Sequence, residues 1–308
     1  MKLSQLRYIC EVSKRGMNVS EAAEALYTSQ PGVSKQIRQL EDELGIPIFT
    51  RAGKRLTDTT RAGAEILRVA RRVLREIDNI RRISSDYENA DEGTLTIATT
   101  HTQARYALPE KIQHFRQQYP KVKLSLRQGS PEQICAMTAS GEADIAIATE
   151  SVSSTEGLIA LPCYRWNRCV VVPPEHPLLE IEIPLTLADI AQYPIVTYDF
   201  AFADRSLISK AFADKKLNPN VVLTALDSDI IKTYVEIGLG IGLLATMAFD
   251  PERDTQLRMI DVGHLFPSST TWVGIRRGEY LRNYIYDFIE LFAPQLNRDA
   301  LNAALNLE

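Results

Sequence analysis

Residues 59–89 carry no proline and, after Gly63, no glycine, so they are expected to form one uninterrupted helix. Such a helix divides the chain into parts that fold by different rules. Before it, residues 1–58 read as short helices with a few turn signals. From Gly93 onward, short β-branched runs alternate with amphipathic stretches, the pattern of an α/β domain. The polar stretch from Ser84 to Gly93 suits a linker. The expected organisation is therefore 1–58, 59–92 and 93–308.

Along the long helix Ile66, Ala70, Val73, Ile77 and Ile80 recur in steps of four and three, a heptad-like seam, with most of the arginines off it. The seam either packs on its own domain or pairs with a second copy of the chain. The second is favoured, because no neighbouring helix in the sequence is placed to cover it. Ile66, Val73, Ile77 and Ile80 are the candidate dimerisation residues.

The chain has 308 residues, 45% hydrophobic and 24% charged, which excludes a disordered chain, a collagen-like repeat and a disulfide scaffold. The net charge of −4 speaks on its face against a nucleic-acid partner. It is unevenly spread, however: residues 1–90 hold 16 Lys/Arg and 12 Asp/Glu, a net of +4, which leaves −8 for the remainder. Lys2, Arg7, Glu11, Lys14 and Arg15 leave no room for the apolar core of a secretory leader. The longest uncharged apolar stretch, 237–249, is too short to span a bilayer. Four scattered cysteines without a CxxC pair read as reduced thiols, so a cytoplasmic location is expected, with no membrane partner.

The stretch 19–41 carries the first sharp chemical signal. Ser20 is placed to cap a short helix, and Ser29 to cap a second one with Pro31 in its first turn. In that second helix Val33, Ile37, Leu40 and Leu44 form an apolar stripe. Gln30, Ser34, Lys35 and Arg38 lie on the other face. A tight turn between two short helices, the second polar and basic at its start, describes a helix-turn-helix that reads DNA; the alternative is an α-hairpin with a solvated face. Gln and Arg pair bidentately with base edges, while Ser and Lys hold phosphates or bases. Residues 49–57 follow as a β-ribbon wing with a glycine turn, offering Arg51, Lys54 and Arg55 to the DNA backbone.

These features together resemble the winged helix-turn-helix of LysR-type transcriptional regulators. The matching residues run from Leu3-Ser4-Gln5-Leu6-Arg7-Tyr8 through Gln30-Pro31 and residues 34–41 to Thr60-Arg61-Ala62-Gly63, with Arg61 where the family often has Pro. The resemblance implies DNA contacts at Ser29, Gln30, Pro31, Ser34, Lys35, Arg38, Arg51, Lys54 and Arg55. It also makes the long helix a linker that pairs two DNA-binding modules on a two-fold symmetric operator.

In the third part, strands are expected near 94–99, 122–127, 143–148, 168–172, 194–197, 221–225 and 269–275, and helices near 107–118, 131–140, 204–216, 227–237 and 279–292. Ligands bind at the carboxyl ends of strands in open α/β sheets, and helix starts favour anions. Thr100, Thr102, Gln103 and Thr149 follow two such strands and would form a neutral, donor-rich pocket for a small anion or zwitterion. Alternatively the hydroxyls only cap a helix and a turn. The sequences at 98–109, 128–131, 143–150, 161–168 and 229–248 are similar to the CysB/Cbl branch of the LysR family, and the similarity runs over essentially the whole chain. It implies an α/β effector domain, like a periplasmic binding protein, of two subdomains (about 93–163 with 270–292, and about 164–269). It also implies control of sulfur assimilation and cysteine synthesis by an effector of the acetylserine, sulfate or thiosulfate class, with Thr100, Thr102, Gln103 and Thr149 as contacts.

His101, Phe202 and Ala203 are further candidates near that pocket. Where the branch has a Thr- and Gly-containing loop, residues 199–206 here read DFAFADRS, with Ala203 in place of a hydroxyl and two carboxylates nearby. A related regulator of sulfonate or sulfate-ester use, or a cytosolic small-anion-binding protein, is the alternative. The resemblance further implies a dimer and a tetramer, with RNA polymerase as a possible contact. Gly238-Leu239-Gly240-Ile241-Gly242 superficially resembles a dinucleotide loop, but a helix precedes it where a strand is required, so it reads as a helix end entering a buried strand. The four histidines lack metal-ligand spacing. No nucleophile elbow or phosphate loop is present, so neither an enzyme, a metal nor a cofactor is expected.

Overall fold

The computed structural model describes the chain except Lys54, Asn89, Glu182, Ile183, residues 200–206 and residues 306–308, together with the side chain of Glu150. The expectations for Lys54, Phe202 and Ala203 lie outside the described residues. Contacts divide the protein into two units, Met1–Glu88 and Asn89–Glu308.

The first unit contains α1 (Leu3–Lys14), α2 (Val19–Ala25), α3 (Gln30–Leu44), β1 (Phe49–Ala52), β2 (Arg55–Thr59) and α4 (Arg61–Glu88). Ile9, Val12, Val33, Leu40 and Ile48 are fully buried at its centre. The cap of α2 is Asn18 rather than Ser20: its side-chain oxygen accepts the N–H groups of Ser20 and Glu21 at 3.1 and 3.2 Å. Ser29 caps α3 as expected, accepting the Gly32 N–H at 3.3 Å, and Gly45 (φ +70°) ends that helix. β1 and β2 pair antiparallel as the wing.

The entry into α4 is fixed by Thr60, whose hydroxyl donates to Pro47 O at 2.8 Å and accepts the Gly63 N–H at 2.9 Å. Gly63 is required there because a Cβ would lie 1.9 Å from the Ile48 carbonyl oxygen. The expected seam is shifted. Leu67 and Ala70 are buried in the unit's own core, with Ile66 and Leu74 packed against it. The exposed apolar stripe instead runs through Val69, Val73, Ile80 and Ile83, again in a heptad-like rhythm, with Ile77 half-buried beside it.

The second unit contains β3 (Gly93–Thr99), α5 (Pro109–Gln118), β4 (Val122–Gln128), α6 (Pro131–Ser140), β5 (Ile145–Ala148), β6 (Leu158–Trp166), β7 (Arg168–Val172), α7 (Leu187–Ala191), β8 (Ile195–Tyr198), α8 (Leu207–Asp214), β9 (Val221–Ala225), α9 (Ser228–Glu236), β10 (Ile241–Ala245), β11 (Arg258–Asp261), β12 (Ser269–Arg276), α10 (Asn283–Phe292) and α11 (Arg298–Leu305). They build two five-stranded sheets, ordered β4-β3-β5-β12-β6 and β11-β7-β10-β8-β9. Each sheet has its own apolar core, so the unit consists of two lobes. The chain crosses between the sheets at Asn167 and again between Asp261 and Ser269. Thr246 donates its N–H and hydroxyl to Asn167 O, and Arg168 donates to Pro267 O and Ser269 Oγ, tying the two crossings together.

The glycine run at 238–242 is a helix end entering a buried strand, as its context predicts. Gly238 (φ +80°) turns the chain after α9, and a Cβ on Gly240 would meet Pro194 O at 2.3 Å. Among the described residues no helix is long and apolar enough to cross a membrane.

Candidate nucleic-acid interface and ligand cleft

The outer face of α3 presents Gln30, Pro31, Lys35 and Arg38 to solvent, with Ser34 half-buried and donated to by the Gln30 amide at 3.1 Å. That face combines two bidentate readers, a hydroxyl and an ammonium at the start of one helix, the set needed for base and phosphate contacts. On the wing, Arg55 is exposed. Arg51 is committed differently. Its guanidinium sits 2.6 Å from Glu41, and the same carboxylate accepts the backbone N–H groups of Ile48 and Phe49 at 2.9 and 3.1 Å. Glu41 thus fastens the wing to α3, a role hidden in the sequence because seven to ten residues separate the partners.

In the second unit, β3 and β5 are parallel neighbours, with Thr99 opposite Ile147. Thr100 and Thr149 therefore follow adjacent strands at the same, carboxyl end of the sheet, where α/β folds place ligands. Both are half-buried. Thr102 is buried, and its hydroxyl shares a hydrogen bond of 3.3 Å with Tyr198, which belongs to the other lobe. Burial pushes the Tyr198 phenol up to about 12, so it remains a neutral donor and acceptor.

Gln103, the residue after Thr102, is buried. Its amide nitrogen donates to Thr271 at 3.1 Å and its oxygen accepts from the Tyr164 hydroxyl, so both ends of the side chain are held by the strands near the crossing. Tyr164 itself packs on Phe292, with ring centroids 5.9 Å apart, and Trp166 lies under Arg168; both serve packing near the crossing.

His101 reaches the other lobe, with Nε2 3.0 Å from an Asp227 carboxylate oxygen. His101, Asp227 and Asp229 could offer three ligand atoms within 4.8 Å of one another. Arg105 and Lys232 already occupy the Asp229 carboxylate, so a metal ion there would face two resident cations. Burial also pushes the Cys163 and Cys169 thiols up to about 12, which leaves them protonated and poor nucleophiles. Tyr198, Tyr164 and Thr271, the partners of Thr102 and Gln103, were not anticipated, because 61 to 168 residues of chain separate them and only the tertiary fold brings them together.

Comparison with known proteins accounts for both units. Residues 3–64 match the family described as bacterial regulatory helix-turn-helix protein, lysR family, and residues 88–297 match the LysR substrate binding domain. The HTH-type transcriptional regulator CysB of Burkholderia cenocepacia is 53% identical, over 100% of this chain and 98% of its own length. SsuR, another HTH-type transcriptional regulator of that organism, is 52% identical over 96% of both chains. The crystal structure of the cofactor-binding domain of the Cbl transcriptional regulator superimposes with a TM-score of 0.67 at 46% identity, covering 70% of this chain and 95% of that one. Two family models, near-complete alignment at about half identity and the two-lobed fold agree: the chain is a member of the LysR family of bacterial transcriptional regulators.

Proposed function

We propose that this regulator is cytoplasmic, governs genes of sulfur assimilation and cysteine synthesis, and is controlled by a small anionic or zwitterionic metabolite of the acetylserine, sulfate or thiosulfate class. Near-complete alignment with regulators of the CysB and Cbl type carries the reading, and the uncharged hydroxyls at Thr100, Thr102 and Thr149 support it. Hydroxyl donors hold an oxyanion or a carboxylate without binding every cation or anion that passes. A ligand touching both lobes through Thr102 and its partner Tyr198 favours their closure, and closure alters how paired DNA modules meet the operator. The protein acts without turnover, as a dimer or tetramer paired along α4 through Val69, Val73, Ile80 and Ile83, with RNA polymerase as a further contact.

The α3 face reads the major groove, with Gln30 and Arg38 on base edges and Ser29, Ser34 and Lys35 on phosphates. The wing adds Arg55, while Arg51 braces it. Arg38→Ala is expected to weaken binding to the preferred operator more than to random duplex DNA; equal losses would make Arg38 a phosphate contact. For the ligand, calorimetric titration with acetylserine, sulfate and thiosulfate decides, and Thr102→Ala is expected to abolish the heat. Control of sulfonate or sulfate-ester use is a second reading, carried by the nearly equal identity to SsuR, 52% against 53%. A protein that answered to sulfate alone and ignored acetylserine would favour it.

A further inference from the structure

The turn of chain after β3 faces two ways. Thr100 and Thr102 carry the hydroxyls assigned above to the candidate pocket, while Arg105 and Tyr106 reach across to α9 in the other lobe and His101 to Asp227 at its start. A π-helical turn, Gln103–Ala107, makes this possible: its wider register sends Gln103 toward the strands near the crossing and leaves Arg105 and Tyr106 directed at α9.

Their common partner is Asp229. One carboxylate oxygen accepts from the Tyr106 hydroxyl at 2.5 Å, and the other lies 2.5 Å from Arg105 Nε. Lys232 closes the arrangement, 3.2 Å from Asp229 and donating to the Tyr106 oxygen at 2.9 Å. Lys232 is itself fixed within its lobe by Asp254, at 2.9 and 3.0 Å, and by Ala248 O at 3.1 Å. Burial opposes the Lys232 charge, yet the bonds to Asp254, Tyr106 and Asp229 outweigh it and raise the pKa above the usual lysine value. The ammonium is therefore a permanent charge anchoring one side of the clasp.

We propose that Asp229 is a positioning residue for the effector pocket: by gripping Arg105 and Tyr106 from the second lobe, it fixes the turn that presents Thr100 and Thr102 and so sets ligand affinity from outside the pocket. This rests on the reading of those threonines as ligand contacts. The physical reason is that a pocket residue on an unanchored turn is correctly placed only part of the time, and apparent affinity falls in proportion to that fraction. None of the clasp side chains needs to touch the ligand.

The test uses the full-length protein and Asp229→Asn, which keeps the shape and removes the charge. Without ligand, hydrogen exchange in residues 100–107 is expected to speed up while β3 and β5 stay protected. With acetylserine and sulfate as probes, affinity is expected to fall about tenfold, and Asp229→Glu is expected to recover most of it. A residue that merely stabilised the fold would lower the melting temperature and leave both readouts alone. Wild-type exchange and wild-type affinity in Asp229→Asn, beside a Thr102→Ala variant that has lost the ligand, would overturn the proposal and spare the pocket. If Thr102→Ala bound like the wild type, the pocket reading would fall, and this proposal with it.

Discussion

Removing the Glu41 carboxylate is expected to unfasten the wing, and three substitutions resolve how. Glu41 Oε1 accepts the N–H groups of Ile48 and Phe49, two residues that are 0% and 1% exposed, while Oε2 meets Arg51 at 2.6 Å. Glu41→Ala strands two buried donors at about 1–3 kcal/mol each. Partial rehydration at the edge of the unit trims the sum, and a loss of about 3 kcal/mol is expected. Glu41→Gln keeps an acceptor for both N–H groups and forfeits only the attraction to Arg51. Arg51→Ala forfeits that same attraction, which at a partly exposed pair is about 1 kcal/mol or less. Calorimetric unfolding of the full-length protein, with hydrogen exchange read at residues 46–60, should rank Glu41→Ala far below the other two. It should also show faster exchange at Ile48 and Phe49 in Glu41→Ala alone. If Arg51→Ala cost as much as Glu41→Ala, the ion pair and not the backbone bonds would hold the wing, and the reasoning would be refuted.

Three further outcomes are expected. Gly63→Ala drives a methyl group to 1.9 Å from the Ile48 carbonyl oxygen, and because both sides are backbone the first unit should lose about 1–3 kcal/mol in thermal unfolding. Tyr27, 98% exposed in the turn before α3, holds φ at +51°, so Tyr27→Gly should stabilise the unit by about 1 kcal/mol; a lower melting temperature would show that the side chain is needed. Burial would raise the Asp229 carboxyl, but bonds from Tyr106 and Lys232 and the charges of Lys232 and Arg105 hold it below its ordinary value of 3.8. Its stabilising share is then complete above the unfolded pKa and is lost as pH falls through the folded one, so the gap in melting temperature between wild type and Asp229→Asn should be flat from about pH 8 to 5 and close in stronger acid.

What the sequence made legible is what depends on neighbours along the chain. Ser29 and Pro31 announce the start of α3 because capping is local, and the β-branched runs from 93 onward locate β3, β4, β7 and β9 closely. β6 escaped notice because Pro162 interrupts it; the structure puts that strand at a sheet edge, where a missing N–H is tolerated. The short β11 and the terminal α11 were also missed, being too brief for their periodicity to stand out. The site follows the same division. Thr100 and Thr149 could be placed at strand ends, and Asp229 with Lys232 stand three apart on one helix. Tyr106 meets Asp229 across 123 residues, and Gln103 meets Thr271 across 168, so only the packing of the two lobes in the first case, and of the turn on its own sheet in the second, brings them together. The seam on α4 shifted for a related reason: its heptad rhythm was visible, but which face α1 takes was not.

The central claim is that a small molecule bound through Thr102 changes how the α3 faces hold DNA. Operator affinity, measured on a duplex selected by the protein from random sequence, with and without acetylserine, sulfate and thiosulfate, tests it directly. At least one of these ligands is expected to shift the wild-type affinity by about fivefold or more, in the usual range of allosteric coupling, and to leave Thr102→Ala unmoved. Equal shifts in the two proteins, or none in either, would contradict the account.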